Sequence, residues 1–249
     1  MSLLLSSKPE AQGSAGRVHD PVLKTFLHSG DLGDLIYGLP TIRALGGGIL
    51  YIDPLHRRES IIHMLPESID LLAPLLMRQP YIKDVIAWNG ETPVDYDLDQ
   101  WRKQKDTLTT PIADNHLKVF GLPSAERDVA WITIDKPIHT KKYVIGRSRR
   151  HLSGPPHPWP ETYRTFLSEG VFIGLPKDHR AFVRDVGKIE YYRVDNFLTT
   201  TRVIAGCDLF IGNQAFPYAI AEGLKHNSIL EVSWLTPNCN YDRANAKYF

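Results

Sequence analysis

The sequence predicts an α/β protein of two Rossmann-like domains whose parallel sheets face a cleft. Short apolar runs alternate with segments of helical periodicity, and this alternation occurs in two successive blocks. Such alternation is typical of parallel strands joined by helical crossovers. A short linker at Lys136-Pro137 separates the blocks, and 249 residues, of which 43% are hydrophobic, are enough for two small domains.

The first block begins at Val22. Its predicted strands lie in VLKTFLHS, ILYID, DVIAWN and DVAWITI. Apolar residues at helical spacing predict helices over Asp34–Leu45 and in SIDLLAPLLMRQ, and three glycines at 46–48 end the first of these. The polar stretch from Asp95 to Gly121 is predicted to be helical in part.

The second block repeats the pattern without repeating the sequence. Its predicted strands lie in KYVIGRS, VFIGL, IEYYRV, CDLFIG and SILEVS, and its predicted helices in PETYRTFLSE, KDHRAFVRDVG, FLTTTRVIAG and PYAIAEGLK. We therefore expect an N-terminal domain over residues 21–137 and a C-terminal domain over 138–249. Residues 1–20 are rich in Ser, Gly and Ala without periodicity, which predicts a disordered tail.

Composition narrows the class of function. Lys and Arg (29) nearly cancel Asp and Glu (28), so the global basic charge of a nucleic-acid-binding protein is absent. No apolar stretch is long enough for a membrane span, and Leu3 to Leu5 are too few for a signal-peptide core. The two cysteines, Cys207 and Cys239, have no C-x-x-C partner and cannot form a Cys-only zinc site, and so low a cysteine content favours a reducing compartment. We expect a cytoplasmic protein.

The first candidate site is the loop between the first predicted strand and helix. Gly30 and Gly33 let the backbone turn tightly and approach a ligand. Ligands bind at the carboxyl ends of strands in open α/β sheets, which is where this loop lies. Asp31 and Asp34 either face such a ligand or cap the helix, because Asp is a favoured capping residue.

The second candidate site follows the first strand of the second block. Arg147 and Arg149 belong to a basic cluster, and guanidinium groups match the oxygens of a diphosphate. The same cluster is equally consistent with a solvated charge run. Farther along this loop, Trp159 is a candidate for stacking on a base or sugar, although tryptophan is more often a packing residue.

The third candidate site is Gly212-Asn213-Gln214, between a predicted strand and helix. Backbone N–H groups at a helix start bind anions, and the Asn213 and Gln214 side chains add donors. The alternative is a simple helix start with Pro217 in its first turn. The sequence contains no H-E-x-x-H pair, no G-x-S-x-G elbow and no Walker A motif, so metal, hydrolase and nucleotide-triphosphatase functions lack support. We expect no metal and no cofactor.

These segments together resemble glycosyltransferase family 9, the ADP-heptose:lipopolysaccharide heptosyltransferases. The similar text is SGDLGDLIYGLPTIRAL in the first block, and FIGLPKDHRAF and LTTTRVIAGCDLFIGNQAFPYAIAEGL in the second. The resemblance implies a GT-B fold and inverting, metal-independent transfer from a nucleotide diphosphate sugar. It implies an acceptor-side first domain and a donor-binding second domain, with Asp34 as general base.

The chain departs from that family after Asn213. Many members have Asp, a small residue and Gly there, and a later His, where this chain has Gln214, Ala215, Phe216 and Ala219. A different donor, a different acceptor or lost activity would each account for this. The expected partners are a nucleotide diphosphate sugar and an unidentified acceptor such as a glycan or lipid-linked glycan. Two alternatives remain open, a silent GT-B-like binding or structural protein and a GT-B-fold sugar-nucleotide epimerase.

Overall fold

The computed structural model describes residues 23–54, 66–150, 152–153 and 158–249. The predicted tail at residues 1–20 lies outside these ranges, as does His151 of the basic cluster. No helix within the described ranges is long and apolar enough to cross a membrane.

The first half of the chain forms a four-stranded sheet with helices packed against it. Its elements are β1 (Lys24–His28), α1 (Leu32–Ala44), β2 (Gly48–Ile52), α2 (Pro66–Leu76), β3 (Ile82–Ala87), β4 (Tyr96–Asp97), a 3-10 helix (Leu98–Lys103), α3 (Ile112–Val119) and a second 3-10 turn (Ser124–Arg127). The strand order is β3-β2-β1-β4, and each pair is parallel. In each of the central strands β1 and β2 three of the five residues are buried, because both faces of a parallel sheet are covered.

The second half forms a six-stranded sheet. Its elements are β5 (Tyr143–Gly146), α4 (Trp159–Arg164), β6 (Gly170–Phe172), α5 (Pro176–Asp185), β7 (Glu190–Tyr191), α6 (Phe197–Ala205), β8 (Leu209–Asn213), α7 (Phe216–Gly223), β9 (Ser228–Glu231) and β10 (Ala246–Tyr248). The order is β10-β9-β8-β5-β6-β7, again with every pair parallel. The predicted class, α/β with two parallel sheets, is confirmed.

One predicted strand, DVAWITI, is wrong. Residues 128–134 form no strand, and the backbone N–H groups of Trp131 and Ile132 both donate to the carbonyl of Gly223 in α7. The place beside β1 is taken by the short strand β4, which the sequence did not predict. The side chains of Trp131 and Ile132 are buried against α7, and a side chain at Gly223 would collide with them. Their apolar pattern therefore reflects helix packing.

The two halves share one apolar core. Helix α1 packs against α7, and α2 packs against α6. The chain also returns to the first half near its end, where the Tyr241 ring stacks on Tyr37 at 5.5 Å and its hydroxyl accepts from the Ala113 N–H. This packing places the carboxyl ends of β1 and of β5 on opposite sides of one cleft. The division at residues 137 and 138 stays a prediction.

Candidate active site in the cleft between the halves

A cleft of about 1130 Å³ separates the first half from the second. It is lined by the loops that follow strands and by the first turns of helices, which is the usual place for a ligand in an α/β protein. The lining segments are 31–34 after β1, 146–150 after β5, 173–178 after β6, 194–197 before α6 and 214–217 after β8, together with 236–239 near the chain end. All the candidate loops found in the sequence therefore meet here.

The first wall of the cleft is formed by the first half of the chain, and the second wall by the second half. Asp34 lies on the first wall, in the first turn of α1. Its Oδ2 atom accepts a hydrogen bond from Nη2 of Arg102 at 3.0 Å, and 22% of its side chain is exposed. The Oδ1 atom has no hydrogen-bond partner among the described residues. One carboxylate oxygen is thus fixed by the protein, and the other is left for a ligand.

The pKa of Asp34 is raised from its ordinary value of 3.8 to about 6. Burial is the main cause, because a partly dehydrated site disfavours the charged form. The Arg102 guanidinium opposes this rise, while the neighbouring Asp31 carboxylate adds to it. A carboxyl group with this pKa is mostly ionised at pH 7 and takes up a proton more readily than an ordinary aspartate.

Arg102 was not predicted as part of the site. It lies in the 3-10 helix 98–103, in the polar stretch for which the sequence predicted only partial helix. Its second terminal nitrogen binds Asp99, whose other oxygen accepts from the N–H of Ser29 at 2.9 Å and from its hydroxyl at 2.5 Å. The sequence signal that could have indicated this pair is the Asp-x-x-Arg spacing, which brings the two side chains together within one turn.

Asp31 is the residue immediately before α1. Its side chain makes no hydrogen bond to the helix start, so it does not cap the helix. Its Oδ2 atom instead accepts from Nη2 of Arg150 at 3.1 Å, and these residues belong to opposite halves. The bridge is partly solvated, with 51% of the Arg150 side chain exposed. It ties the two loops together across the cleft.

Arg147 lines the cleft but is bound inside the second half. Its Nε and Nη2 atoms donate to the two carboxylate oxygens of Glu231 at 2.6 and 2.9 Å, and both residues are buried. The guanidinium also lies over the ring of Trp159, 3.4 Å from its centre. The predicted diphosphate contact of Arg147 and the predicted sugar stacking of Trp159 stay predictions, and the structure shows both side chains engaged with each other.

Arg149 and Lys177 supply exposed positive charge on the second wall. Lys177 lies in the first turn of α5, and the carboxylate of Asp178 beside it interacts with the backbone N–H of Arg149. Among the residues that the structure describes, neither Arg149 nor Lys177 has a carboxylate oxygen within 4.0 Å of its charged nitrogens. Lys177 was not predicted from the sequence, although it stands in the family-like text FIGLPKDHRAF.

Asn213 is fully buried at the end of β8. Its Oδ1 atom accepts from the N–H of Ser148 at 3.0 Å, and its Nδ2 atom donates to the carbonyls of Ser148 and Arg150. The amide therefore holds the loop that carries the basic cluster. Its predicted role as a donor to a diphosphate stays a prediction.

Gln214 supports a different loop. Its Nε2 atom donates to the carbonyl of Thr236 at 2.6 Å, and its Oε1 atom accepts from the N–H of Ser233 at 2.5 Å. Helix α7 then begins after Ala215, with Pro217 in its first turn as the sequence predicted. Gln214 thus fastens the 233–238 segment to the helix start.

Within the described ranges no three His, Cys, Asp or Glu side chains are grouped so as to hold a metal ion. No protein-family model and no curated protein matches the sequence.

Solved structures, in contrast, are similar over nearly the whole chain. A family 9 glycosyl transferase from Veillonella parvula superposes with a TM-score of 0.55 at 12% identity, covering 92% of this chain and 86% of that one. The E. coli ADP-heptose LPS heptosyltransferase II superposes with a TM-score of 0.57 at 12% sequence identity, and the match covers 91% of this chain and 90% of that one. The E. coli heptosyltransferase WaaC with ADP superposes with a TM-score of 0.54 at 11% sequence identity, and the match covers 90% of this chain and 92% of that one.

The architecture is therefore that of the GT-B glycosyltransferases. The chain has the fold of glycosyltransferase family 9, which confirms the resemblance found in the sequence. At these identities the likeness establishes the fold, and the chemistry has to be argued from the cleft itself.

Proposed function

We propose that the protein is a glycosyltransferase that moves a sugar from a nucleotide diphosphate sugar to a hydroxyl of an acceptor, with Asp34 as general base. The observation that carries this proposal is the Asp34 carboxylate. It faces the cleft with one oxygen fixed and the other unpartnered, opposite a wall that carries Arg149 and Lys177.

The proposed step is a direct displacement. The acceptor hydroxyl gives its proton to Asp34 as its oxygen forms a bond to the anomeric carbon, and the bond from that carbon to the diphosphate breaks. The electron pair of the broken bond leaves with the diphosphate. A single displacement from the opposite face inverts the anomeric configuration. It requires one base and no general acid, because the diphosphate leaves as an anion.

The leaving diphosphate gains negative charge, which the second wall is built to stabilise. Arg149 and Lys177 supply full charges, and the starts of α5, α6 and α7 present backbone N–H groups to the same cleft. Arg147, Asn213 and Gln214 support this wall by holding its loops. In this mechanism protein cations take the place of a metal ion, so we propose metal-independent transfer.

A binding protein without turnover is the second candidate, because three of the four side chains predicted to bind the donor are engaged within the protein. Calorimetric titration with ADP, UDP, GDP and CMP tests donor binding directly. We expect at least one diphosphate to bind, and no binding by any of them at millimolar concentration would contradict both candidates as nucleotide-binding proteins.

Turnover separates the two candidates once the nucleotide is known. Asp34→Asn should retain nucleotide affinity and lose about 10²–10⁴-fold in rate, which is the usual contribution of a general base. Asp84→Asn is the matched control, because Asp84 is exposed on β3 and does not line the cleft. Wild-type turnover by Asp34→Asn would assign the base to another group, Asp31 being the next nearest.

A further inference from the structure

The support of Asp34 forms a continuous chain of charged groups beneath the cleft wall. Arg102 joins two carboxylates, because Nη2 binds Asp34 and Nη1 binds Asp99. Asp99 is itself buried, and its remaining oxygen accepts both hydrogen bonds from Ser29 at the end of β1. The Arg102 guanidinium is therefore held by a buried carboxylate that is itself hydrogen-bonded to Ser29.

The buried His28 does not compete for this carboxylate. Its Nδ1 atom lies 3.9 Å from Oδ1 of Asp99 and accepts the N–H of Gly30 at 3.0 Å, so that nitrogen carries no proton. Burial also lowers the pKa of His28 well below its ordinary value, which keeps the ring neutral. Arg102 is thus the cation that neutralises Asp99.

Gly30 makes room for this arrangement. A β-carbon at position 30 would lie 1.6 Å from Nη2 and 2.6 Å from Cζ of Arg102, so any side chain would displace the guanidinium. The backbone at Gly30 is not in the left-handed region, so glycine is required for space and not for its torsion angle. At Gly33, three residues after Gly30, a β-carbon would meet nothing within 4 Å.

We propose that Arg102 is a positioning residue for Asp34. Arg102 is held by Asp99, it binds Oδ2 of Asp34, and it thereby leaves Oδ1 facing the acceptor hydroxyl. Position 30 is glycine because the guanidinium occupies the space that a side chain there would need. The inference rests on the proposed function in one respect, the role of Oδ1 as the atom that accepts the proton of the acceptor hydroxyl. The bridge itself is a property of the protein alone.

The bridge also sets the charge of Asp34. The titratable groups that act on this carboxylate or pack against its turn come from five segments: Asp31, Arg102, Arg150, His116 and Cys239. Arg102 is the largest influence that favours the ionised form, acting against burial. Losing the guanidinium should therefore raise the pKa of Asp34 above about 6, toward a carboxyl that is protonated near neutral pH.

The test is a titration of the Asp34 carboxyl carbon by NMR in the full chain, with the resonance assigned by its loss in Asp34→Asn. Arg102→Gln should raise the pKa of Asp34 by about 1–3 pH units, the usual effect of an adjacent arginine. Arg102→Lys should raise it less, since a cation remains. Gly30→Ala should raise it while Arg102 is still present, whereas Gly33→Ala should leave it near the wild-type value.

Gly30→Ala keeps the proposal testable if Arg102→Gln does not fold, and Arg184→Gln controls for the loss of an exposed arginine paired to a neighbouring aspartate. An unchanged pKa of Asp34 in Gly30→Ala and in any folded Arg102 variant would overturn the proposal. The titration needs neither donor nor acceptor, so its failure is distinct from that of the proposed function, which is judged by turnover of Asp34→Asn.

Discussion

The guanidinium of Arg147 forms a two-point ion pair with the carboxylate of Glu231 in the interior of the second half. Tyr163 donates to the same carboxylate at 3.1 Å, and Ser153 donates to it from both its N–H and its hydroxyl. The pair joins the ends of β5 and β9 and holds the loop behind the basic cluster. It fixes the wall on which Arg149 is displayed.

Removal of Arg147 should be costly to stability. Arg147→Met leaves the Glu231 charge buried without its cation, which typically costs about 3–5 kcal/mol in the free energy of unfolding. Urea denaturation at pH 7 measures this loss. Arg184→Met is the control, because that pair is exposed and screened by solvent and should contribute little to stability. A stable Arg147→Met variant that no longer binds nucleotide would show instead that Arg147 contacts the donor.

Asn213 should tolerate no acidic replacement. Asn213→Asp turns a buried donor into an acceptor that faces the carbonyls of Ser148 and Arg150. Lost hydrogen bonds and an unpaired buried charge should lower the free energy of unfolding by about 2 kcal/mol or more. Asn227→Asp, in a more exposed amide, is the comparison. Equal stability of the two variants would argue against the loop-holding role of Asn213.

Asp34 should make stability depend on pH. Because its folded-state pKa, about 6, lies above the ordinary 3.8, the folded state binds the proton more tightly, and stability falls as pH rises between these values. Asp34→Asn should lack this fall and be more stable than the wild type at pH 7 by about 1–3 kcal/mol, with little difference at pH 4. Urea denaturation across pH 4–7 measures both, and parallel curves would contradict the raised pKa.

The Asp31–Arg150 bridge should hold the halves together only weakly. Both side chains are partly solvated, so a double-mutant cycle with Asp31→Ala and Arg150→Ala should give a coupling of less than about 1 kcal/mol. The coupling should weaken further in high salt. Urea denaturation of the four proteins at low and high salt is the measurement. A larger coupling that is insensitive to salt would contradict this prediction and would show that the bridge contributes substantially to holding the two halves together.

Much of the fold follows from local pattern. Runs such as GILYI and LFIGN are apolar because both faces of a parallel strand are covered, and the intervening segments carry helical spacing. Trp131 and Ile132 have the same apolar character for a different reason, since they pack against α7 and bond to Gly223. Periodicity over so short a segment does not distinguish these two environments.

The sequence by itself determined the parallel α/β architecture, the position of Asp34 in the first turn after β1 and the convergence of the candidate loops at one cleft. These follow from residues that are neighbours in the chain. Only the tertiary structure decided which charges are available, because Arg102 meets Asp34 across 68 residues and Glu231 meets Arg147 across 84. An ion pair depends on distance in space and on the exclusion of water, and neither is encoded in local spacing.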